Sequence, residues 1–180
     1  MTSRKLICVI GMIFAAFSRS SNADVIFDDF GPGNGVLGAM SWDVNAGFAT
    51  TAEFTSHASY TLTQIDVYLV NGVGGGTNAA TISLLSSTND GAPGFVMGSW
   101  SVSGQPTSAG GPLLTTISSI SGVYLAKGTS YFLRIEPADA TTQDGWVQNY
   151  LGLKTTIYNG NSLAYSSAIA PAFDVIGIAM

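Results

Sequence analysis

Apolar and polar residues alternate along most of the chain from residue 24 onward, which is the pattern of half-buried β-strands. The segment "ASYTLTQIDVYLV" (58–70) shows this alternation well. Its apolar phase runs through Leu62 and resumes, shifted by one residue, at Ile65. Such a phase change predicts a β-bulge or a bend at Thr63 and Gln64, and a bend can carry a strand from one sheet to its partner.

The same period of two recurs in further segments, whereas no stretch after residue 24 has an apolar stripe of helical spacing over more than two turns. We therefore predict an all-β fold, a two-sheet antiparallel β-sandwich of the jelly-roll kind, with a closed barrel as the main alternative. No internal repeat or shift in composition divides residues 24–180, which predicts a single domain. The pattern directs Ile82 and Leu84 inward and puts Trp100 in the core, in phase with Val96 and Val102. It also sets Tyr131, Leu133 and Ile135 against Phe132, Arg134 and Glu136, and Phe173 and Val175 against Ile176 and Ile178.

The stretch "LLSSTNDGAPGFVMGSW" (84–100) has turn-forming residues between two apolar runs. Asn, Asp and Gly tolerate positive φ and Pro-Gly favours a second bend, so the stretch predicts a hairpin with a connection of about eight residues. A calcium loop of the EF-hand type needs alternating acidic or amide side chains and a later Glu. Only Asn89 and Asp90 could serve here, which favours the hairpin over a metal loop.

The first 23 residues have the pattern of a secretory signal peptide. Arg4 and Lys5 precede an apolar run, Leu6 to Phe17, and the small-residue pattern ends at Ala23. The run is 12 residues long, shorter than the ~20 that a spanning helix needs. We expect residues 1–23 to be cleaved near Ala23 and the mature chain, without a membrane span, to be secreted, periplasmic or at the cell surface.

The net charge of the mature chain excludes some classes of binding partner. Cleavage would leave three basic residues against eleven acidic ones, a formal net charge of −8. Nucleic acids and anionic membranes require clustered Lys and Arg, so neither is an expected partner.

The single cysteine, Cys8, lies in the signal peptide. The mature domain is thus expected to depend on its core rather than on disulfides, for which about 150 residues suffice.

Four segments in fixed order resemble bacterial exported proteins of the choice-of-anchor group. Domains of that group occur with alternative C-terminal sorting signals, often a Pro-Glu-Pro tail read by exosortase. The resemblance implies a secreted or surface β-sandwich domain of no established enzymatic activity. The segments are "FDDFGPG" (27–33), "FTSHASYTLTQIDVYL" (54–69), "TISLLSSTNDGAPGFVMGSW" (81–100), and "LAKGTSYFLRIEPAD" (125–139) with Gly145-Trp146 after it.

The sorting tail of that group is not found between the last predicted strand and Met180. Ile135-Glu136-Pro137 lies in mid-domain and does not replace it. The resemblance therefore leaves two expectations open: a member released without an anchor, or a fragment of a longer chain.

Aromatic and amide side chains suggest where a glycan could bind, because sugar-binding proteins stack pyranose rings on Trp and Tyr beside polar hydrogen-bonding groups. "DGWVQNY" (144–150) offers Trp146, Gln148 and Tyr150 on one strand phase, and Trp42 in "SWDVN" is a second candidate. The alternative is that the tryptophans pack between the sheets. We predict polysaccharide or other cell-surface components as partners.

Carboxylates near the two ends of the domain suggest a structural calcium ion. Asp28, Asp29 and Asp174 flank the predicted first and last strands, and calcium prefers such oxygen ligands. The alternative is that Asp28 and Asp29 are exposed before the Gly31-Pro32-Gly33 turn. No other cofactor is predicted, since one histidine and no mature cysteine make a poor zinc site.

Two functions of different class follow from these patterns. The first is a non-catalytic extracellular domain for matrix, adhesion or glycan binding. The second is a secreted carbohydrate-active hydrolase, which would need only two carboxylates at a set separation. The sequence places Asp66 on an outward strand phase and Asp144 in a loop, and it interprets His57 as a solvated turn residue, so no catalytic residue is assigned.

Overall fold

The protein is represented by a computed structural model that describes residues 22–30, 35–72, 76–107 and 110–180, with only the backbone described for residues 37–39. Residues 1–21 of the predicted signal peptide and the Gly31-Pro32-Gly33 turn lie outside the described residues. Within the described part, thirteen strands follow one another along the chain. They are β1 (Asp24–Asp28), β2 (Val36–Asn45), β3 (Thr50–Thr55), β4 (Tyr60–Asn71), β5 (Ala79–Ser87), β6 (Pro93–Ser103), β7 (Leu113–Ile117), β8 (Tyr124–Leu125), β9 (Ser130–Pro137), β10 (Gln143–Asn149), β11 (Lys154–Asn159), β12 (Ser162–Ile169) and β13 (Phe173–Ala179).

The strands form two antiparallel sheets that pack against each other, which confirms the predicted β-sandwich. Sheet 1 has the order β1-β13-β4-β10-β2, and β7 and β8 also pair with β4. Sheet 2 has the order β12-β11-β3-β9-β5-β6. The first and last strands of the described domain are thus neighbours, as the predicted approach of its two ends required. Among the described residues there is no helix of sufficient length and hydropathy to cross a membrane.

The core lies between the sheets and follows the predicted alternation. From sheet 1, Leu62, Ile65, Val67 and Leu69 of β4 are fully buried. They belong to one apolar cluster with side chains of sheet 2. Those sheet 2 partners include Ile82 and Leu84 of β5 and Leu133 and Ile135 of β9.

β4 contains the bulge that the phase change predicted. Gln64 pairs with Ile176 and Leu62 with Gly177, so Thr63 is the extra residue on β4. Its hydroxyl donates to the carbonyl of Ile176 at 3.2 Å. The strand stays in sheet 1 along its whole length, so the bulge does not carry it to the partner sheet. The bulge re-aims the side chains without moving the strand.

The hairpin of β5 and β6 is confirmed, but its connection is shorter than predicted. Five residues, 88–92, join the strands, and Gly91 has φ +79°. Pro93-Gly94 lies inside β6 rather than forming a second bend. The pairing shifts between Leu84 and Leu85, and Val96 is consequently 54% exposed rather than buried.

Candidate functional site

Two aromatic side chains from different sheets meet at one side of the sandwich. Trp42 lies on β2, an end strand of sheet 1, and Tyr165 lies on β12, an end strand of sheet 2. Their ring centroids are 5.2 Å apart. The Trp42 indole donates from Nε1 to the carbonyl oxygen of Ile169 at 2.9 Å, which fixes its ring, while Tyr165 is 52% exposed. The pair is therefore both held in place and open to solvent.

Two cavities that share Ser41 and Asp43 lie in this region, and together we call them the Trp42 cleft. The smaller, about 210 Å³, is lined by the aromatic pair, whereas the larger, about 360 Å³, is lined mainly by polar residues and includes neither ring. The smaller cavity is also lined by Trp42, Phe48 and Tyr165, and the larger by Asn45, Ala46, Gly72, Ala140, Thr142, Gln143, Asp144 and Gly145.

Asp144 is a buried acid in the wall of the larger cavity, not the loop residue that the sequence predicted. It lies on β10 and is 4% exposed. Burial raises its pKa to about 6, although the side-chain amide of Asn71 donates to Oδ1 at 3.2 Å and opposes that shift. Asp43 lines the same cavity. The β2–β10 register pairs Asp144 with Val44 and Gly145 with Asp43, which puts the Asp43 and Asp144 side chains on opposite faces of sheet 1 although both residues line this cavity.

A third cavity, about 580 Å³, opens beside β3, β11 and β12. It forms where β3 and β11 diverge, since their pairing ends at Ala52 and Ile157. Its charged side chains in the described part of the chain are Glu53 and Lys154, surrounded by threonine and serine hydroxyls. It has neither a second acid nor a tryptophan or tyrosine ring, so it is the weaker candidate for binding or cleaving sugars.

The three acids predicted to bind calcium lie near one another. Asp28 faces Asp174 across the β1–β13 pair, and Asp174 faces Asp66 across the β13–β4 pair, so these three form a cross-strand row. Asp29 follows directly and is fully buried, where its Oδ1 accepts a hydrogen bond from the Phe173 amide at 2.7 Å. Asp66 lies on the outward phase of β4, as predicted, but is only 7% exposed.

Two of these acids, Asp29 and Asp174, resist ionisation because they are shielded from water and close to other carboxyl groups. Burial raises the pKa of Asp29 to about 8, and the neighbouring charge of Asp28 adds to the shift. The pKa of Asp174 is also raised to about 8, first by burial and then by its hydrogen bond with Asp28 and the charges of Asp29 and Asp66. In the described part of the chain no three acidic, histidine or cysteine side chains are arranged to hold a metal ion. Calcium binding by Asp28, Asp29 and Asp174 stays a prediction.

The structure places the other predicted glycan residues apart from the cleft. Trp146 is fully buried against Phe173, and its indole donates to the Ala172 carbonyl at 2.9 Å, so it has no ring face for a sugar. Gln148 is 8% exposed, which leaves it similarly covered. Tyr150 is 66% exposed in the turn after β10. Of the four predicted residues, Trp42 alone combines a half-buried ring with a polar cavity.

Two further residues bear on the sequence interpretation. Tyr165 was not predicted, because its partner Trp42 is distant in sequence and on another sheet. His57 lies in an exposed bend, as predicted, but its ring also contacts two strands. Its Nδ1 lies 2.9 Å from the Ile26 carbonyl oxygen and its Nε2 lies 2.6 Å from the Tyr60 hydroxyl. Both ring nitrogens are thus occupied by structural contacts.

Comparison of the chain with models of protein families and with curated proteins finds no match. The resemblance to choice-of-anchor proteins therefore stays a prediction from the sequence.

Proposed function

We propose that the protein is a secreted or cell-surface, non-catalytic β-sandwich domain that binds polysaccharide in the Trp42 cleft. The observation that carries the proposal is the Trp42–Tyr165 pair beside cavities lined by hydroxyl, amide and carboxylate groups. Aromatic faces stack on sugar rings while such polar groups bind sugar hydroxyls. The signal-peptide pattern and the resemblance to exported choice-of-anchor proteins support an extracellular setting for this chemistry.

The charges around the cleft favour neutral polysaccharides over acidic ones. Asp43 and Asp144 line the cleft, and its described walls contain no Lys or Arg. An anionic sugar such as a uronate would meet the exposed Asp43 carboxylate without a compensating cation. A neutral glucan or mannan would instead donate its hydroxyl hydrogens to that carboxylate.

Affinity electrophoresis through gels that contain neutral polysaccharides tests this proposal. Retardation of the wild-type protein is expected, and Tyr165→Ala is expected to weaken binding by about ten-fold, because it removes one of the two stacking faces. Trp42→Phe keeps a ring and should weaken binding less. Intrinsic fluorescence provides a second readout when the wild type is compared with Trp42→Phe, because Trp42 and Trp100 are both partly buried whereas Trp146 is fully buried.

Tyr150→Ala is the matched control, because Tyr150 is an exposed tyrosine outside both cavities. Its binding should equal that of the wild type. Equal loss of binding in Tyr150→Ala and Tyr165→Ala, or the absence of retardation in every neutral polysaccharide, would refute binding at the Trp42 cleft.

The hydrolase is retained as a second candidate because Asp43 and Asp144 line one cavity. A glycosidase needs one protonated and one ionised carboxyl group, and the raised pKa of Asp144 suits the acid. Under our first proposal, wild type and Asp144→Asn release no reducing sugar from any polysaccharide that the protein binds. If the wild type releases reducing sugar and both Asp43→Asn and Asp144→Asn abolish that release, the hydrolase is established instead.

A further inference from the structure

Strand β6 forms one end of sheet 2 and has an open edge. It pairs with β5, and the described residues place no strand on its other side. From Gly98 to Ser103 its register against β5 is continuous, so its outer edge offers a regular row of backbone donors and acceptors. Such an edge is a template for a further strand.

The usual devices that prevent edge pairing are missing from most of β6. Its eleven residues include no Asp, Glu, Lys or Arg, and its one proline is the first residue. By contrast, in sheet 1 the end strand β1 has Asp24 and Asp28, and the end strand β2 has Asp43. At the other end of sheet 2, β12 has register shifts against β11, and the Trp42 indole occupies the Ile169 carbonyl. The β6 edge is therefore the least protected of these four.

The apolar core also reaches the surface at β6. Met97, Trp100 and Val102 pack against the core but are only partly buried. Phe95 and Val96 are 72% and 54% exposed. A strand added to this edge would cover part of this apolar surface and extend the core laterally.

We propose that two copies of this chain pair through their β6 edges, antiparallel and around a two-fold axis at Ser101. Two-fold symmetry always presents an edge strand to its own copy in antiparallel orientation, and such dimers are the commonest assemblies. The chain has a net charge of −5, which opposes association of two copies, but β6 offers an uncharged strip along which two such chains can approach.

The proposed register is specified by the two faces of β6. Ser99, Ser101 and Ser103 are exposed, whereas Trp100 and Val102 pack inward. Because paired residues share a face, a two-fold axis at Ser101 sets Ser99 opposite the second copy's Ser103 and Trp100 opposite its Val102. Serine side chains then lie opposite each other on the outer face of the joined sheet, and apolar side chains lie opposite each other on its inner face. This assembly goes beyond the proposed function and does not depend on what the Trp42 cleft binds.

Sedimentation equilibrium of the protein purified after expression of the full chain tests the dimer. The wild type is expected to reach twice the monomer mass as its concentration rises. Ser101→Lys would set two lysines opposite each other at the axis and weaken dimerisation by at least about ten-fold. Ser101→Glu should act likewise, and an equimolar mixture of the two variants should restore the dimer through a Lys–Glu pair.

Leu163→Lys, an exposed substitution on β12, is the matched control and should dimerise like the wild type. Circular dichroism and thermal unfolding establish that each variant is folded. If the wild type stays monomeric at every concentration, the proposal is overturned. The proposal is also overturned if Leu163→Lys weakens the dimer whereas Ser101→Lys leaves it unchanged. Loss in both Ser101 variants without recovery in their mixture rules out the register at Ser101.

Discussion

The free energy of unfolding is expected to fall by about 3 kcal/mol as the pH rises from about 5 to about 8.5, because Asp29 and Asp174 lose protons in the folded protein. In the unfolded chain both carboxyls ionise near their ordinary value of 3.8, whereas the pKa of each is raised to about 8 in the fold. Between these values the folded state binds more protons, so stability declines with rising pH. Urea unfolding followed by circular dichroism at several pH values measures the slope.

The expected loss of stability is well below the value that a full conversion of the two pKa shifts into free energy would give. Asp174 is only partly buried, and ionised carboxyl groups there can take up water, which reduces the loss of stability. The stabilising contribution of the protonated groups is complete below about pH 4 and is lost as the pH passes through about 8. Asp144 acts in the same direction, because its pKa is raised to about 6.

Substitution by asparagine separates this cluster from the other acids. Asp29→Asn combined with Asp174→Asn keeps the side-chain shapes but removes the two titrations, so most of the slope between about pH 5 and 8.5 should disappear. Asp90→Asn is the control, since the pKa of Asp90 is lowered by the Thr88 hydroxyl rather than raised. A double variant with the wild-type slope would show that the two carboxyls ionise normally in the fold.

The same measurement tests the calcium ion predicted from the sequence. Three carboxylate oxygens in this region, Oδ2 of Asp29, Oδ1 of Asp66 and Oδ1 of Asp174, are buried without a hydrogen-bond partner among the described residues. Once ionised, such oxygens need a cation or water. If calcium binds there, adding it at pH 8.5 restores the lost stability in the wild type but not in the double asparagine variant, and magnesium does so less well.

The sequence predicted the fold well where alternation is local. Phase within a single strand depends on neighbours in the chain, so the inward residues Ile82 and Leu84 of β5 and the bulge at Thr63 were predicted correctly. Val96 was predicted wrongly because the register shift near Leu84 depends on how β5 and β6 pair. The pairing register decides which face of the sheet a side chain points to, and the order of apolar and polar residues does not reveal that register.

The candidate site could be predicted only in part, because it depends on which strands end each sheet. Trp42 and Trp146 face each other across the β2–β10 pair and share one strand phase. Trp146 is covered because β10 also pairs with β4 at that position, whereas Trp42 is on an end strand and stays open. Tyr165 reaches Trp42 only through the packing of the two sheets, for which the sequence has no local signal.

Replacement of Trp146 by alanine is expected to lower the free energy of unfolding by about 3 to 5 kcal/mol, because it removes the largest fully buried side chain of the core. The ring packs against Phe173 and faces Leu69 across the β10–β4 pair, and the variant would also leave the Ala172 carbonyl without the indole donor. Urea unfolding compared with the wild type at one pH measures the loss. Trp146→Phe, which keeps part of the ring volume, should lose less.

Polysaccharide binding distinguishes this structural role from the glycan contact that the sequence suggested for Trp146. The folded Trp146→Phe protein should bind neutral polysaccharide like the wild type, because Trp146 lines neither cavity of the Trp42 cleft. Tyr150→Ala, at an exposed side chain, should change stability by no more than about 0.5 kcal/mol. If a Trp146 variant kept wild-type stability but no longer bound polysaccharide, Trp146 would not be a core residue. That result would also contradict binding at the side of the sandwich where Trp42 meets Tyr165.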